Sequence, residues 1–251
     1  MLKAVEKNDG EFMRFCNRDV FGTRIKAYYS CYSTDFDFVR FWAQYDDSGT
    51  MTAAIGRIDG DATLCAHNAD IDEIKEFLGI VGFRTLQCEA ASAEKLCEKF
   101  ERGYVLRCDS IPKYEKKETK KSFELKEIYD IIKPENADAE DYLPWLSDTT
   151  YRMNRNAAGG RIAVCDGKNA GCAMIIFRTD AAAVIGAVST KPEYRCRGIA
   201  RSLVLSLAED EMKQGRRAEL LCRDTLVSFY ESMGFTVINE WGMINNEAEL
   251  L

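Results

Sequence analysis

The stretch Val188-Ser189-Thr190-Lys191-Pro192-Glu193-Tyr194-Arg195-Cys196-Arg197-Gly198-Ile199-Ala200 decides how this chain is read. It joins an apolar segment, residues 182–188, to a run in which Ile199, Leu203 and Leu207 recur every four residues, as do Ala200, Val204 and Ala208. The first pattern predicts a strand. The second predicts an amphipathic helix with Arg201, Ser202, Glu209, Asp210 and Lys213 on its polar side. A helix start offers unpaired N–H groups and the positive end of the dipole, so a phosphate placed there is stabilised without a large cluster of side chains. Gly198 lets the backbone approach closely, Ala200 keeps the first turn narrow, and Arg195 and Arg197 add positive charge. The spacing is neither that of a Walker loop, which needs Gly-Lys-Ser/Thr, nor that of a dinucleotide fingerprint, which needs three spaced glycines.

Downstream, Gly215 closes the helix and residues 218–222 read as a strand. Asp224 is expected to cap a helix to about Met233, Gly234 to stop it, and residues 235–238 to restart a strand. Upstream, residues 123–132 and 142–154 read as two helices. Residues 161–165 and 171–177 read as strands joined by the turn Asp166-Gly167-Lys168-Asn169. The N-terminal half repeats this order loosely: strands at 38–45, 52–58 and 62–66, a helix bearing Ile71, Ile74, Phe77 and Leu78, a strand at 84–88, a helix at 93–100 and a strand at 104–108. The charged run Lys113-Tyr114-Glu115-Lys116-Lys117-Glu118-Thr119-Lys120-Lys121 reads as a solvated linker. The expected organisation is therefore a first domain at 1–111, a linker at 112–121 and a second domain at 122–251.

With 251 residues, 46% of them hydrophobic, and 4 prolines, the chain has enough apolar surface for two cores. A net charge of -7 opposes a broad nucleic-acid footprint and favours small cationic partners. The start, Met1-Leu2-Lys3-Ala4-Val5-Glu6-Lys7, has no apolar core like that of a signal peptide, and runs such as 181–188 are too short to span a bilayer, so a cytoplasmic protein without a membrane partner is expected. The cysteines, at 16, 31, 65, 88, 97, 108, 165, 172, 196 and 222, form no Cys-x-x-Cys pair and read as buried free thiols. His67 is the only histidine; it reads as structural, and no metal site is expected.

A second segment, Leu220-Leu221-Cys222-Arg223-Asp224-Thr225-Leu226-Val227-Ser228-Phe229-Tyr230-Glu231-Ser232-Met233-Gly234-Phe235, follows one helix after the first. In this order and spacing the two segments together resemble the GNAT acetyltransferase superfamily. The strand, Arg/Gln-x-x-Gly-x-Gly/Ala loop and helix match residues 184–213, and the strand, helix and Tyr-x-x-x-Gly-Phe ending match 218–235. The resemblance covers residues 122–248 well and residues 1–110 only through element order. It implies an α/β fold of tandem modules, each a twisted, mixed, largely antiparallel sheet flanked by helices.

The resemblance further implies acyl-CoA, acetyl-CoA foremost, as co-substrate, with its acyl group passed by direct attack to a primary amine of a small molecule or peptide. The edge Val188, Ser189 and Thr190 would hydrogen-bond the pantetheine arm as an added strand, and the segment Arg195, Cys196, Arg197, Gly198, Ile199, Ala200 and Arg201 would hold the pyrophosphate. Tyr230 would protonate the departing thiolate, and a backbone N–H near Val188 would meet the oxyanion. The family's carboxylate base has no counterpart in residues 182–188, which leaves Glu193, Asp148 and Asp166 as candidates. Two positions depart from the pattern: Arg223 stands where an asparagine is common, and Cys196 where a small or basic residue is usual, with its backbone expected to take part rather than its thiol. In the N-terminal half, His67-Asn68-Ala69-Asp70-Ile71-Asp72-Glu73 replaces the phosphate loop with acidic residues, so that half is expected not to bind CoA. A non-catalytic acyl-CoA sensor and a partner-binding scaffold are the competing readings, and the oligomeric state stays open between monomer and homodimer.

Overall fold

The turns at Asp59-Gly60 and Asp166-Gly167 each place two successive residues at positive φ, 47° and 88° in one and 51° and 73° in the other. That conformation lets a two-residue loop follow the right-handed twist of its strands, and each pair connects adjacent antiparallel strands, Ile58 opposite Asp61 and Cys165 opposite Lys168. The computed structural model describes residues 1–121, 124–133 and 139–245, and the chain divides into two compact units with one such hairpin in each.

In chain order the N-terminal half contains β1 (Leu2–Ala4), α1 (Gly10–Phe15), α2 (Val20–Tyr32), β2 (Val39–Tyr45), β3 (Met51–Ile58), β4 (Asp61–Ala66), α3 (Ile71–Val81), β5 (Thr85–Glu89), α4 (Ala90–Leu96) and β6 (Glu101–Cys108). The C-terminal half contains β7 (Thr119–Lys121), α5 (Leu125–Ile132), α6 (Ala139–Met153), β8 (Gly159–Cys165), β9 (Lys168–Arg178), β10 (Ala182–Thr190), α7 (Ile199–Lys213), β11 (Arg217–Cys222), α8 (Val227–Glu231) and β12 (Phe235–Asn245).

The first unit comprises Met1–Leu106, Leu221–Val227 and Val237–Leu251. Its strands pair β1–β2, β2–β3 and β3–β4 antiparallel and β4–β5 parallel, and β12 pairs antiparallel with β5 from Trp241↔Glu89 to Asn245↔Thr85. One face buries Ala53, Ile55, Leu64 and Leu86 against Ile74 and Leu78 of α3, with Ile244 of β12 in the same core. On α1, α2 and β2 the rings of Phe12, Tyr29 and Phe41 meet edge to face.

The second unit comprises Arg107–Leu220 and Ser228–Thr236. Strands β7–β8, β8–β9 and β9–β10 pair antiparallel and β10–β11 parallel, the same succession of strand senses as in the first unit. Leu125, Ile128 and Ile131 of α5 close one face over Ile162, Cys172 and Met174, while α7 packs on β9 and β10 with Ile199, Leu203 and Val204 buried. In each unit the strand pairing is mixed and mostly antiparallel, as expected. Among the described residues no helix is long and apolar enough to cross a membrane. The cysteines are free and, apart from Cys165 and Cys196, buried.

Several elements differ from the sequence reading. The charged run is not a detached linker: Lys117 N donates to Ser202 Oγ (2.9 Å), Lys116 pairs with Glu209 (2.8 Å), and Thr119–Lys121 form the edge strand β7. The units accordingly divide after Leu106 rather than at 112–121, and Val237–Leu251 falls with the first unit. The expected helix at 93–100 is α4, Ala90–Leu96, because β6 already begins at Glu101. The expected helix from Asp224 is a 3-10 turn, Asp224–Leu226, with no side-chain cap, followed by the short α8. Helices α1 and α2 and the edge strand β1 were not anticipated.

Candidate functional site

Strand β10 carries the first part of the site. Its parallel pairing with β11 ends at Ile185↔Leu220, and its ladder with β9 is broken between Gly186↔Met174 and Ser189↔Cys172. Two residues, Ala187 and Val188, thus oppose the single Ala173, a bulge with Ala187 at φ 49°. A bulge bends the strand and frees backbone groups from the ladder at the place where the sequence analysis put the pantetheine edge. Val188, Ser189 and Thr190 are half-buried, and Ser189 Oγ donates to Ile131 O at the end of α5 (3.1 Å). Gly171 faces this end of β10 across the ladder; a Cβ there would lie 2.7 Å from Ser189 O, so only glycine fits.

The connection from β10 to α7 is a 3-10 turn, Pro192–Tyr194, then an exposed loop. Arg195 Nε donates to Thr190 O (3.3 Å), and Arg197 lies over the Tyr194 ring at 5.5 Å. Cys196 is exposed at φ 59°, and Gly198 is the N-cap of α7 in the left-handed region at φ 73°. Because Gly198 has no side chain, it makes no side-chain cap bond, and the first-turn N–H groups of α7 face outward without the acceptor that serine or aspartate would supply. Ile199 is buried and fixes the helix start on the core, Ala200 is half-buried, and Arg201 Nη1 donates to Ser232 O (2.9 Å). The Arg201 side chain is therefore spent on structure, and what it offers the loop is its backbone.

That bond ties the first turn of α7 to the exit of α8, where Ser232 Oγ in turn donates to Phe229 O (2.7 Å). Tyr230 lies on α8 and is buried, with its ring 5.1 Å from Phe229 and 6.0 Å from Phe235 in edge-on contacts. Of the three carboxylates considered as bases, Asp148 forms an ion pair with the buried Arg152 (2.6 Å), Asp166 lies in the hairpin turn at φ 51°, and Glu193 is exposed on the 3-10 turn. Arg223 pairs with Glu101 (3.1 Å) in the first unit. The structure thus places the loop residues together at one helix start, with Glu193 beside them on the 3-10 turn, Asp148 paired on α6 and Asp166 in the β8–β9 turn.

The corresponding connection in the first unit is built otherwise. Asp70 caps α3, its Oδ1 accepting from Glu73 N (3.1 Å), and Gln44 holds the cap on both sides, donating to Asp70 O (2.8 Å) and accepting from Asp70 N (3.0 Å). Gln44 Nε2 also donates to Glu73 Oε2 (2.7 Å). The helix start is filled by the chain's own carboxylates.

Residues 158–237 match the family model for an acetyltransferase (GNAT) domain. No match was found among curated protein sequences. Among solved structures, a tandem GNAT protein from the clavulanic acid biosynthesis pathway, determined without AcCoA, aligns over 98% of this chain and 98% of its own, with 13% identity and a TM-score of 0.63. An acetyltransferase from the GNAT family of Colwellia psychrerythraea aligns over 98% and 99%, with 10% identity and a TM-score of 0.58. A GCN5-related N-acetyltransferase from Sphaerobacter thermophilus aligns over 98% and 95%, with 15% identity and a TM-score of 0.57. At these identities the likeness is one of fold, and it extends to the first unit. What is similar to a GNAT acetyltransferase domain is thus the stretch 158–237, within a fold that a tandem GNAT protein shares over nearly its whole length.

Proposed function

We propose that the second unit binds acyl-CoA, acetyl-CoA foremost, and transfers its acyl group to a primary amine of a small molecule or peptide. The observation that carries this reading is the uncapped start of α7 at Gly198, directly after a bulged strand whose parallel pairing ends at Ile185. Together they fit an ester of this kind: outward N–H groups for the pyrophosphate, and at β10 a backbone edge for an extended, amide-bearing arm. The co-substrate supplies an acyl group activated as a thioester. In this reading the N–H groups of residues 196–201 hold the pyrophosphate, with Arg195 and Arg197 adding charge at the mouth of the loop. Val188, Ser189 and Thr190 align the arm, and the N–H of Val188, which sits in the bulge, is the donor for the oxyanion. Tyr230 gives its phenolic proton to the leaving sulfur. The incoming amine must first lose a proton, and since residues 182–190 carry no ionisable side chain, that proton leaves through water or the acceptor itself. The same bare strand favours a second reading, a CoA-binding sensor without turnover. The free cysteines support a reducing, cytoplasmic setting.

A titration with CoA followed by thermal denaturation tests binding, and thiol release in the presence of a panel of amines tests transfer. Stabilisation by CoA together with amine-dependent thiol release is expected; stabilisation without release identifies a sensor, and neither result leaves a scaffold. Tyr230→Phe is expected to lower kcat by about 100-fold with little change in KM, as loss of a general acid does. Unchanged kcat would remove Tyr230 from the chemistry and leave it as a packing residue.

A further inference from the structure

We infer that the first unit contains a zinc-type metal site formed by Asp19, Cys65 and His67. Cys65 and His67 are two residues apart at the end of β4, and His67 N continues the ladder by donating to Thr52 O (2.7 Å). Alternation along the extended chain therefore puts both side chains on the same face of the sheet. The third member comes from a distant element: Asp19 is the N-cap of α2, and its Oδ1 accepts from Gly22 N (2.7 Å). That bond aims the other carboxylate oxygen at the strand, where Oδ2 lies 3.3 Å from Cys65 Sγ and 3.8 Å from His67 Nε2.

The donor atoms all lie within 4.8 Å of one another. Ligands held tetrahedrally by zinc at about 2.0–2.3 Å are separated by roughly 3.4–3.6 Å, so the three atoms need only small adjustments to share one ion. Thiolate, imidazole and carboxylate are the donors that zinc takes, and the two anionic ligands offset its charge. The imidazole is held edge-on to Phe15, with ring centroids 6.1 Å apart. Cys65 is fully buried, which denies a bulky substrate access to the sulfur, whereas the side chains of His67 and Asp19 are 44% and 25% exposed. The site is thus closed on its sulfur side and open on the other, where water completes the coordination. Of the neighbouring cations, Arg18 lies over the Phe15 ring at 4.5 Å and Lys26 donates to Asn17 Oδ1 (2.8 Å). Binding releases the thiol proton to solvent. The ion fastens the start of α2 to the end of β4.

The test is metal analysis of the full chain after chelator treatment and titration with zinc, repeated with cobalt to read the thiolate-to-metal charge-transfer absorption. One zinc per chain is expected, with a rise in melting temperature. His67→Ala, at a half-exposed position that a folded chain tolerates, is expected to weaken binding by more than the roughly 10–100-fold typical of losing an outer-shell partner. Cys65→Ser is expected to abolish the charge-transfer band, and Cys196→Ser, which changes the exposed thiol, to leave it intact. Absence of zinc binding, or binding that His67→Ala does not weaken, overturns the assignment.

Discussion

Helix α3 in the first unit and helix α7 in the second each follow the fourth strand of an antiparallel run, and each leads to a strand parallel to it. Their first turns differ. At α3 the connection is residues 67–70 and ends in Asp70, whose carboxylate accepts from Glu73 N. At α7 it is residues 191–198 and ends in Gly198, which accepts with no side chain. One architecture thus yields a side-chain-capped helix start in one place and an uncapped one in the other, and the difference rests on a single cap residue and a longer loop. Fold likeness alone, which covers both units, would not separate them.

The change with the largest expected effect erases the difference. Gly198→Asp supplies α7 with the cap that α3 has, and aspartate tolerates the left-handed region better than most residues. CoA affinity measured by calorimetry is expected to fall by about 100-fold, near the ~3 kcal/mol upper value for hydrogen bonds to a charged group. Unchanged affinity would show that the helix start is not where phosphate binds. The reverse change is milder: Asp70→Ala should cost about 1 kcal/mol of stability, the usual loss for a missing cap, and leave a stoichiometry of one CoA per chain. A second equivalent of CoA in that variant would show that the cap alone had kept the first unit closed.

The smallest effect concerns how the second unit holds its edge strand. Hydrogen bonds from Lys116 and Lys213 pull the Glu209 carboxyl from an ordinary value of 4.5 down to about 2, fastening the charged run to α7. A depressed carboxyl stabilises the fold above its ordinary value, and that contribution disappears as pH falls through the range from 4.5 to about 2. Glu209→Gln is expected to flatten the acid limb of the melting-temperature profile slightly and to leave the neutral limb unchanged.

The second unit was largely legible in sequence because its elements obey local rules. Asp166-Gly167 is a turn wherever it occurs between strands, α7 shows a four-residue apolar recurrence, and Gly215 and Gly234 take the positive φ at which helices end. Helix α2 was not legible: it buries residues on nearly every side, Lys26 and Thr23 among them, so no polar face marks its period. Strand β7 was hidden by charge, since an edge strand forms its ladder through the backbone and so tolerates a charged sequence. At the candidate site, the loop and Tyr230 were visible as a spaced motif. The commitment of Arg201 to Ser232, and the meeting of Asp19 with Cys65 and His67, depend on chain-distant contacts that no spacing encodes.

Strand β12 leaves Phe235 and Thr236 with the second unit and gives its remaining residues to the first, where Trp241–Asn245 pair with β5. A ribosome delivers residues in order, so the β5 edge emerges early and waits bare while the whole second unit is made. An unpaired edge is what another nascent chain would pair with. The first unit is thus finished last, and a chain halted before residue 237 presents an open sheet to its surroundings, a natural substrate for chaperones and proteases.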